Sequence, residues 1–301
     1  MSYILTVTLN PAVDKTIQTG KKVFLSAGGK GLNVSRTLKM LGEKTLATGF
    51  LGGTSGRCIE KELDRERIPH DFFRIKGETR TNLTRIDPAT SKITRVLEHG
   101  PFILPVEVKG FKKKYASLLQ KSRFVIFSGS LAPGLPVSIY RELVLLAQKK
   151  RIPVCLDTSG PALSAALWAQ PFLIKPNLKE AEDVLGYRLS SALRLKKAMR
   201  DFLNLGARHV VISLGDKGAA VFDGREAIFA RAPRLRAKNN VGCGDALVGG
   251  LVYNFSRCLN WQGRMRFAVA CGAANTLSIK PGELKKTAVN RLAGKIKVSV
   301  L

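Results

Sequence analysis

Hydrophobic positions along the chain fall into two alternating rhythms. Short apolar runs bounded by Gly, Pro or Asn predict strands over residues 4–8, 45–50, 124–127, 154–157, 172–175 and 209–214. The run Phe124-Val125-Ile126-Phe127 is apolar at every position, as a strand buried on both faces must be. Between the runs, apolar residues recur at helical spacing. Leu32, Val34, Leu38 and Leu41 mark one such helix, which Gly42 closes. Further helices are predicted over 56–66, 137–149, 160–168 and 193–205, with another opening at Asn177, where Glu180 completes a capping box. Strands and helices alternating at this pace predict a mostly parallel sheet sandwiched between helices.

Three stretches depart from that rhythm. Residues 16–25 predict two small strands. Residues 83–87 and 92–97 predict a polar strand pair with Pro88 near its turn. Asp223-Gly224 predicts a hairpin between 219–222 and 227–230. Towards the end, 246–255 and 265–277 read as helices and the remainder, to Leu301, as a basic helix and tail. Gly249 and Gly250 are tolerable inside the first of these only if something packs tightly there. There is no internal repeat and no long linker, so one domain over 1–301 is expected, with a small β unit drawn from 15–27 and 79–100.

Composition narrows the class. A chain of 301 residues, 45% hydrophobic, buries roughly three quarters of its unfolded surface and needs no staples. Five cysteines (Cys58, Cys155, Cys243, Cys258, Cys271) with no C-x-x-C pair argue for a reducing compartment and against a zinc site. No basic leader precedes Ile4, and no apolar run is long enough to span a bilayer. A cytoplasmic protein without a membrane partner is expected. Fifty Lys+Arg against 22 Asp+Glu give a net charge of +28. One reading, from a different class, is a non-catalytic nucleic-acid-binding protein. The other is a solvated basic surface suited to anionic substrates. The basic clusters at 109–123, 149–151, 194–200 and 285–297 are scattered among helix-like segments, and the few aromatics do not interleave with them. The second reading is favoured, with no specific nucleic-acid partner.

Candidate chemistry sits in two glycine loops that feed helices. In Val241-Gly242-Cys243-Gly244-Asp245, unpaired N–H groups at a helix start favour an anion, phosphate above all. Asp245 in that first turn either caps the helix or takes a proton from a hydroxyl attacking a phosphoryl group. The second loop is Gly28-Gly29-Lys30-Gly31-Leu32-Asn33, in which Lys30 suits a phosphate and Asn33 sugar hydroxyls; a tight turn with no ligand is the other reading. It is neither a Walker A loop nor G-x-G-x-x-G. Asp14 is expected at the exit of the first strand, facing substrate, and Arg80 is a candidate phosphate fork or a surface ion pair. Ser128-Gly129-Ser130 follows a strand's C-terminal end, where open α/β sheets hold ligands.

Taken together and in order, these two loops resemble the ribokinase-like sugar kinases. Thr8-Leu9-Asn10-Pro11-Ala12-x-Asp14, Thr79-Arg80-Thr81-Asn82, Ser128-Gly129-Ser130-Leu131-x-Pro133-Gly134 and Lys175-Pro176-Asn177-x-x-Glu180 are similar to the phosphosugar branch of that family, pfkB, which includes 1-phosphofructokinase, tagatose-6-phosphate kinase and a minor 6-phosphofructokinase. The resemblance implies a three-layer α/β/α sandwich with a small β lid, and transfer of the γ-phosphoryl group of ATP, with Mg²⁺, to a ketohexose phosphate, fructose 1-phosphate first among them. It implies Asp245 as base and the N–H groups of Gly242, Cys243 and Gly244 as anion hole. It implies Asp14, Gly28, Gly29, Lys30, Asn33 and Ser130 around the sugar, with Arg80 on its existing phosphate. Lys175, Asn177 and Glu180 would line the triphosphate side, Glu180 meeting the metal through water. Ser213, Gly215 and Gly218 would bound the nucleotide, with Asn275 near the adenine.

Two departures stand out. Cys243 replaces the family's usual alanine. It is either an inert small side chain or, at a helix N-terminus, a thiol of lowered pKa open to alkylation. The segment between Asp14 and Gly28 is shorter than the family pattern, which normally supplies lid strands and part of a homodimer contact.

Overall fold

The computed structural model describes residues 2–18, 23–86, 93–255, 257 and 260–301. The chain enters the large sheet at β1 (Tyr3–Thr8) and leaves it at Pro11 for β2 (Ala12–Gln18) and β3 (Val23–Gly28) of a second sheet. Then come α1 (Lys30–Met40), β4 (Thr45–Gly52), α2 (Gly53–Arg65), β5 (Phe73–Ile75), β6 (Arg80–Ile86) and β7 (Ile93–Leu97). The middle of the chain gives α3 (Pro105–Leu118), β8 (Ser122–Ser128), α4 (Ile139–Gln148), β9 (Val154–Asp157), α5 (Gly160–Leu167), β10 (Leu173–Ile174), α6 (Leu178–Leu185), α7 (Ala192–Asn204) and β11 (Val210–Ser213). It closes with β12 (Gly218–Phe222), β13 (Ala227–Arg231), α8 (Cys243–Phe255), α9 (Trp261–Asn275), α10 (Lys286–Ala293) and β14 (Val298–Val300).

Among the described residues the large sheet has ten strands in the order β14-β13-β12-β11-β10-β9-β8-β1-β4-β5. The strands from β11 through β5 pair in parallel, and β12, β13 and β14 add an antiparallel edge. Alternate residues of the central strands face opposite cores, as a period of two requires. Leu5, Val7, Val125 and Phe127 pack with Phe111 and Tyr115 of α3, Leu143 of α4, Leu163 of α5 and Phe202 of α7. Ile4, Phe124 and Ile126 pack with Val34 of α1, Val248 of α8, Ala270 of α9 and Leu292 of α10. That is the expected three-layer arrangement. The chain runs from β1 outward to β4 and β5, then returns to β8 on the other side of β1. Loops therefore diverge above β1 and β8, the crevice where doubly wound sheets bind ligands.

Two expectations change, at Asp14 and at the C-terminal tail. Asp14 does not end the first strand. Pro11 interrupts the ladder, and Asp14 lies inside β2, opposite Ser26 and Asn82. The second sheet, ordered β3-β2-β6-β7, forms in spite of the short segment. Asp87, Pro88 and Lys92, expected at its hairpin, lie outside the described residues, as does Cys258. The basic run from Lys109 becomes α3, whose Val108, Phe111 and Tyr115 turn inward while its lysines line the outer face. The expected C-terminal tail is the edge strand β14, where Val298 and Val300 pair with Ala230 and Ile228; that partner lies some seventy residues back, beyond any local signal.

Candidate active site

Helix α8 begins where Gly242 takes φ 82°, a left-handed value that favours glycine. A Cβ there would stand 2.9 Å from Cβ of Pro281, so the loop is also closed against 281–282. The loop is braced from behind. Asn275, at the end of α9, donates to the carbonyl of Val241 at 2.9 Å and accepts from the N–H of Gly282 at 2.7 Å. Its amide also reaches Sγ of Cys243 at 3.4 Å. Asn275 thus ties the loop that opens α8, through its nitrogen, to Gly282, through its oxygen. Burial pushes the Cys243 thiol up, outweighing the Asn275 contact, so the lowered-pKa reading of this cysteine does not hold.

Gly249 and Gly250 explain how α8 comes so close to its neighbours. A Cβ on Gly249 would lie 2.6 Å from Cγ2 of Thr37 on α1, and one on Gly250 would lie 2.8 Å from Sγ of Cys271 on α9. This packing brings the start of α8 against the start of α1. There Asn33 Nδ2 donates to Asp245 Oδ2 at 2.8 Å. Asp245 is 6% exposed. Burial, then the charge of Asp157, raise its pKa to about 6 against the pull of Asn33, Lys30 and Lys175.

Cations cluster beside it. The Lys175 ammonium lies 3.1 Å from Oδ1 of Asp157, and 3.6 Å from where a Cβ of Gly244 would sit. The Lys30 ammonium lies 3.7 Å from the same Asp157 oxygen and 3.6 Å from Oε1 of Glu180. Asp157 in particular raises the pKa of Lys30 well above the usual lysine range. Lys30 therefore faces the Lys175 and Glu180 side as well as the glycine loop it belongs to. Glu180 and Asn177 form the predicted capping box at the start of α6, with bonds of 2.8 and 2.9 Å. Ser213 ends β11 and bridges to Asn177, while Gly215 and Gly218 both take positive φ as the chain turns from β11 into β12.

The other predicted residues belong to the small sheet and its root. The Asp14 carboxylate lies against Cα of Gly28, where a Cβ would stand 2.2 Å from Oδ2, and accepts from Asn82 at 2.9 Å. Gly29 precedes α1 with φ 130°. Arg80 donates to the carbonyls of Glu98 and Asn10 at 2.8 and 2.9 Å, clamping two loops, and burial lowers its pKa. Ser130 is exposed beyond β8.

Two side-chain groups escaped the reading of the sequence. Asp157, at the carboxyl end of β9, is 1% exposed, and neither of its oxygens accepts a hydrogen bond among the described residues. Thr8 Oγ1 and Ser128 Oγ, at the same ends of β1 and β8, are likewise buried without partners. Unsatisfied polar atoms at three neighbouring strand ends mark a place built for a polar ligand. An acid closing a buried strand at its carboxyl edge is the signal by which the sequence offers Asp157. The second group is Arg36 with Glu66, which no local pattern connects to Asp245.

Comparison with known proteins bears on the family and the fold. The family model for pfkB family carbohydrate kinases matches residues 3–287. Phosphofructokinase-2 from Escherichia coli, solved with potassium, is similar with a TM-score of 0.91 at 29% identity, over 98% of this chain and 99% of that one. The same enzyme in complex with fructose-6-phosphate gives 0.88 at 29% identity with the same coverage. A Thermotoga maritima protein described as a possible 1-phosphofructokinase gives 0.89 at 29% identity, over 99% of both chains. With its ordered glycine loops, parallel sheet and matched span, the chain belongs to the pfkB family of carbohydrate kinases.

Proposed function

We propose that this chain is an ATP-dependent sugar-phosphate kinase of the phosphofructokinase type, converting fructose 1-phosphate to fructose 1,6-bisphosphate. The observation that carries the reading is the convergence of Lys30, Lys175 and the N-terminus of α8 on the buried carboxylate of Asp245. Two anionic substrates need that much positive charge, whereas a neutral sugar does not.

Asp245 accepts the proton of the attacking hydroxyl, and Asn33 holds its Oδ2 while it does so. The N–H groups of Gly242, Cys243 and Gly244 face developing negative charge at the end of a helix dipole. Lys30 and Lys175 keep two ammonium charges in place through Asp157. Asn177, Ser213, Gly215 and Gly218 bound the nucleotide, and Asn275 stiffens the loop beside it. Asp14, Gly28, Gly29 and Ser130 line the sugar side, with Arg80 adding charge at the root of the lid. Magnesium, when bound, would supply charge neutralisation at the transferring phosphoryl group. Asp157, whose Oδ1 is ion-paired with Lys175 while its Oδ2 has no hydrogen-bond partner among the described residues, and Glu180 fit a role towards that cation, through water for Glu180.

Fructose 6-phosphate is the second reading, favoured by the 29% identity to the enzyme solved with that sugar. Tagatose 6-phosphate is the third. ADP release measured with fructose 1-phosphate, fructose 6-phosphate, tagatose 6-phosphate and unphosphorylated fructose separates them. The highest kcat/KM belongs to fructose 1-phosphate if the reading is right. A higher value for either other phosphate reassigns the substrate, and a preference for unphosphorylated fructose removes the phosphosugar class. Val23, Phe24, Leu25, Val96 and Leu97 expose apolar surface on the small sheet, which supports a homodimer formed through the lid in a cytoplasmic enzyme. The E. coli enzyme has been solved as a tetramer.

A further inference from the structure

Arg36 sits one helical turn beyond Asn33 on α1 and is 3% exposed. Its three nitrogens have three different partners. Nε donates to Oε2 of Glu66 at 2.7 Å, one terminal nitrogen to Oδ1 of Asn33 at 2.8 Å, and the other to the carbonyl of Ala27 at 2.6 Å. Ala27 belongs to β3, beside Gly28 and the Asp14 carboxylate. Glu66 is held in turn by Lys280, which also pairs with Glu62. A fixed path thus runs from Lys280 through Glu66, Arg36 and Asn33 to Asp245.

The path has a direction. An amide has one accepting end and one donating end. Because Arg36 occupies the oxygen of Asn33, the nitrogen of Asn33 is the end that meets Asp245. Without Arg36 the amide can turn over and present its oxygen, which pairs only with a protonated carboxyl. We propose that Arg36 is a positioning residue for phosphoryl transfer: it fixes which end of the Asn33 amide faces Asp245 and so keeps that carboxylate an ionised proton acceptor. This rests on Asp245 being the base, as proposed above. The other groups facing Asp245 are Asp157 from β9, Lys30 from α1, Lys175 after β10 and Cys243 on its own helix. None of them touches Arg36 through a hydrogen bond.

The test uses the full chain with Arg36→Met, Arg36→Lys, Asn33→Ala and the double variant Asn33→Ala/Arg36→Met, each read as kcat/KM against pH. Removing Arg36 should cost about 10- to 100-fold in kcat near neutral pH, the scale of a slightly misplaced reacting group. Its acid limb should move to higher pH. Lysine should not rescue, since its single nitrogen cannot reach acceptors set around three separate guanidinium nitrogens. The double variant should lose no more than Asn33→Ala alone. The pH dependence of unfolding, each chain against its own Asp245→Asn counterpart, should report the same upward shift without turnover. Glu66 keeps Lys280 as a partner in Arg36→Met, so the variant leaves no carboxylate isolated. Should that protein fail to fold, Glu66→Gln must still raise the acid limb.

An acid limb that coincides with wild type, rescue by lysine, or a double variant that loses the sum of both singles would overturn the proposal. An inactive Asp245→Asn with an unmoved Arg36→Met profile removes this inference alone. Near-normal turnover of Asp245→Asn removes the base assignment and this inference with it.

Discussion

The amide nitrogen of Asn33 donates to Oδ2 of Asp245 across 2.8 Å, although 212 positions separate the two residues. The bond joins the first turns of α1 and α8, the two helices that glycine loops open. It steadies a carboxylate that is otherwise pushed towards protonation by burial and by Asp157.

That balance sets a pH profile. With the Asp245 carboxyl at about 6, kcat/KM should be level above that pH and fall with unit slope below it, because protonation removes the acceptor. Removing the Asn33 hydrogen bond should shift the limb upward. Initial rates across the acid range measure both. A limb in the ordinary aspartate range, near 3.8, would show that no strained carboxylate controls the rate.

The same shift bears on stability. The native state holds the Asp245 proton more tightly than the unfolded chain, whose value is the ordinary 3.8. Ionisation therefore costs stability as pH rises from that value through about 6, and the cost is complete above it. Asp245→Asn cannot ionise. It should be more stable than wild type by on the order of a few kcal/mol at about pH 8, with the gain vanishing near pH 4. Urea unfolding at the two pH values reads the difference, and equal stability at both contradicts it.

Close helix packing gives a third expectation. Gly250→Ala would place a Cβ 2.8 Å from Cys271 Sγ and 2.9 Å from Cα of Ala268. One of those atoms is backbone, so the helices must separate. A loss of about 1–3 kcal/mol is expected by urea unfolding, with kcat reduced because α8 carries Asp245. A neutral Gly250→Ala would mean that the helices have room the geometry denies.

Cys243 should matter little as a thiol. Burial raises its pKa, and the neighbouring N–H groups belong to the backbone. Cys243→Ala should keep kcat within about threefold, the scale of a volume-conserving change. Modification by iodoacetamide at neutral pH, located by mass spectrometry, should be slow there. Rapid alkylation with loss of activity would reverse that view.

Much of the site was legible because its signals are local. The Asn177–Glu180 capping box spans one turn and formed as read. The glycines around Asp245 and Lys30 announce helix starts whatever the rest of the chain does. Gly249 and Gly250 announced a close approach without naming the partner, which proved to be Thr37 and Cys271. What stayed hidden is long-range. Asp157 reads as any acid after a strand until Lys30 and Lys175 are brought to it. Arg36 looks like a solvated helix residue until Glu66 and Ala27 close around it. Pro11 signals that the first strand stops, but that Asp14 then enters a second sheet between β3 and β6 is a tertiary choice. β14 is a strand only because β13 offers it an edge.

Asp245, the buried acid of α8, is proposed as the base for phosphoryl transfer. Turnover and ATP affinity of Asp245→Asn, measured on the same folded protein, address it most directly. The expected result is a fall in kcat of about 10²–10⁴-fold while ATP binds nearly as before. Turnover close to wild type in that variant would contradict it.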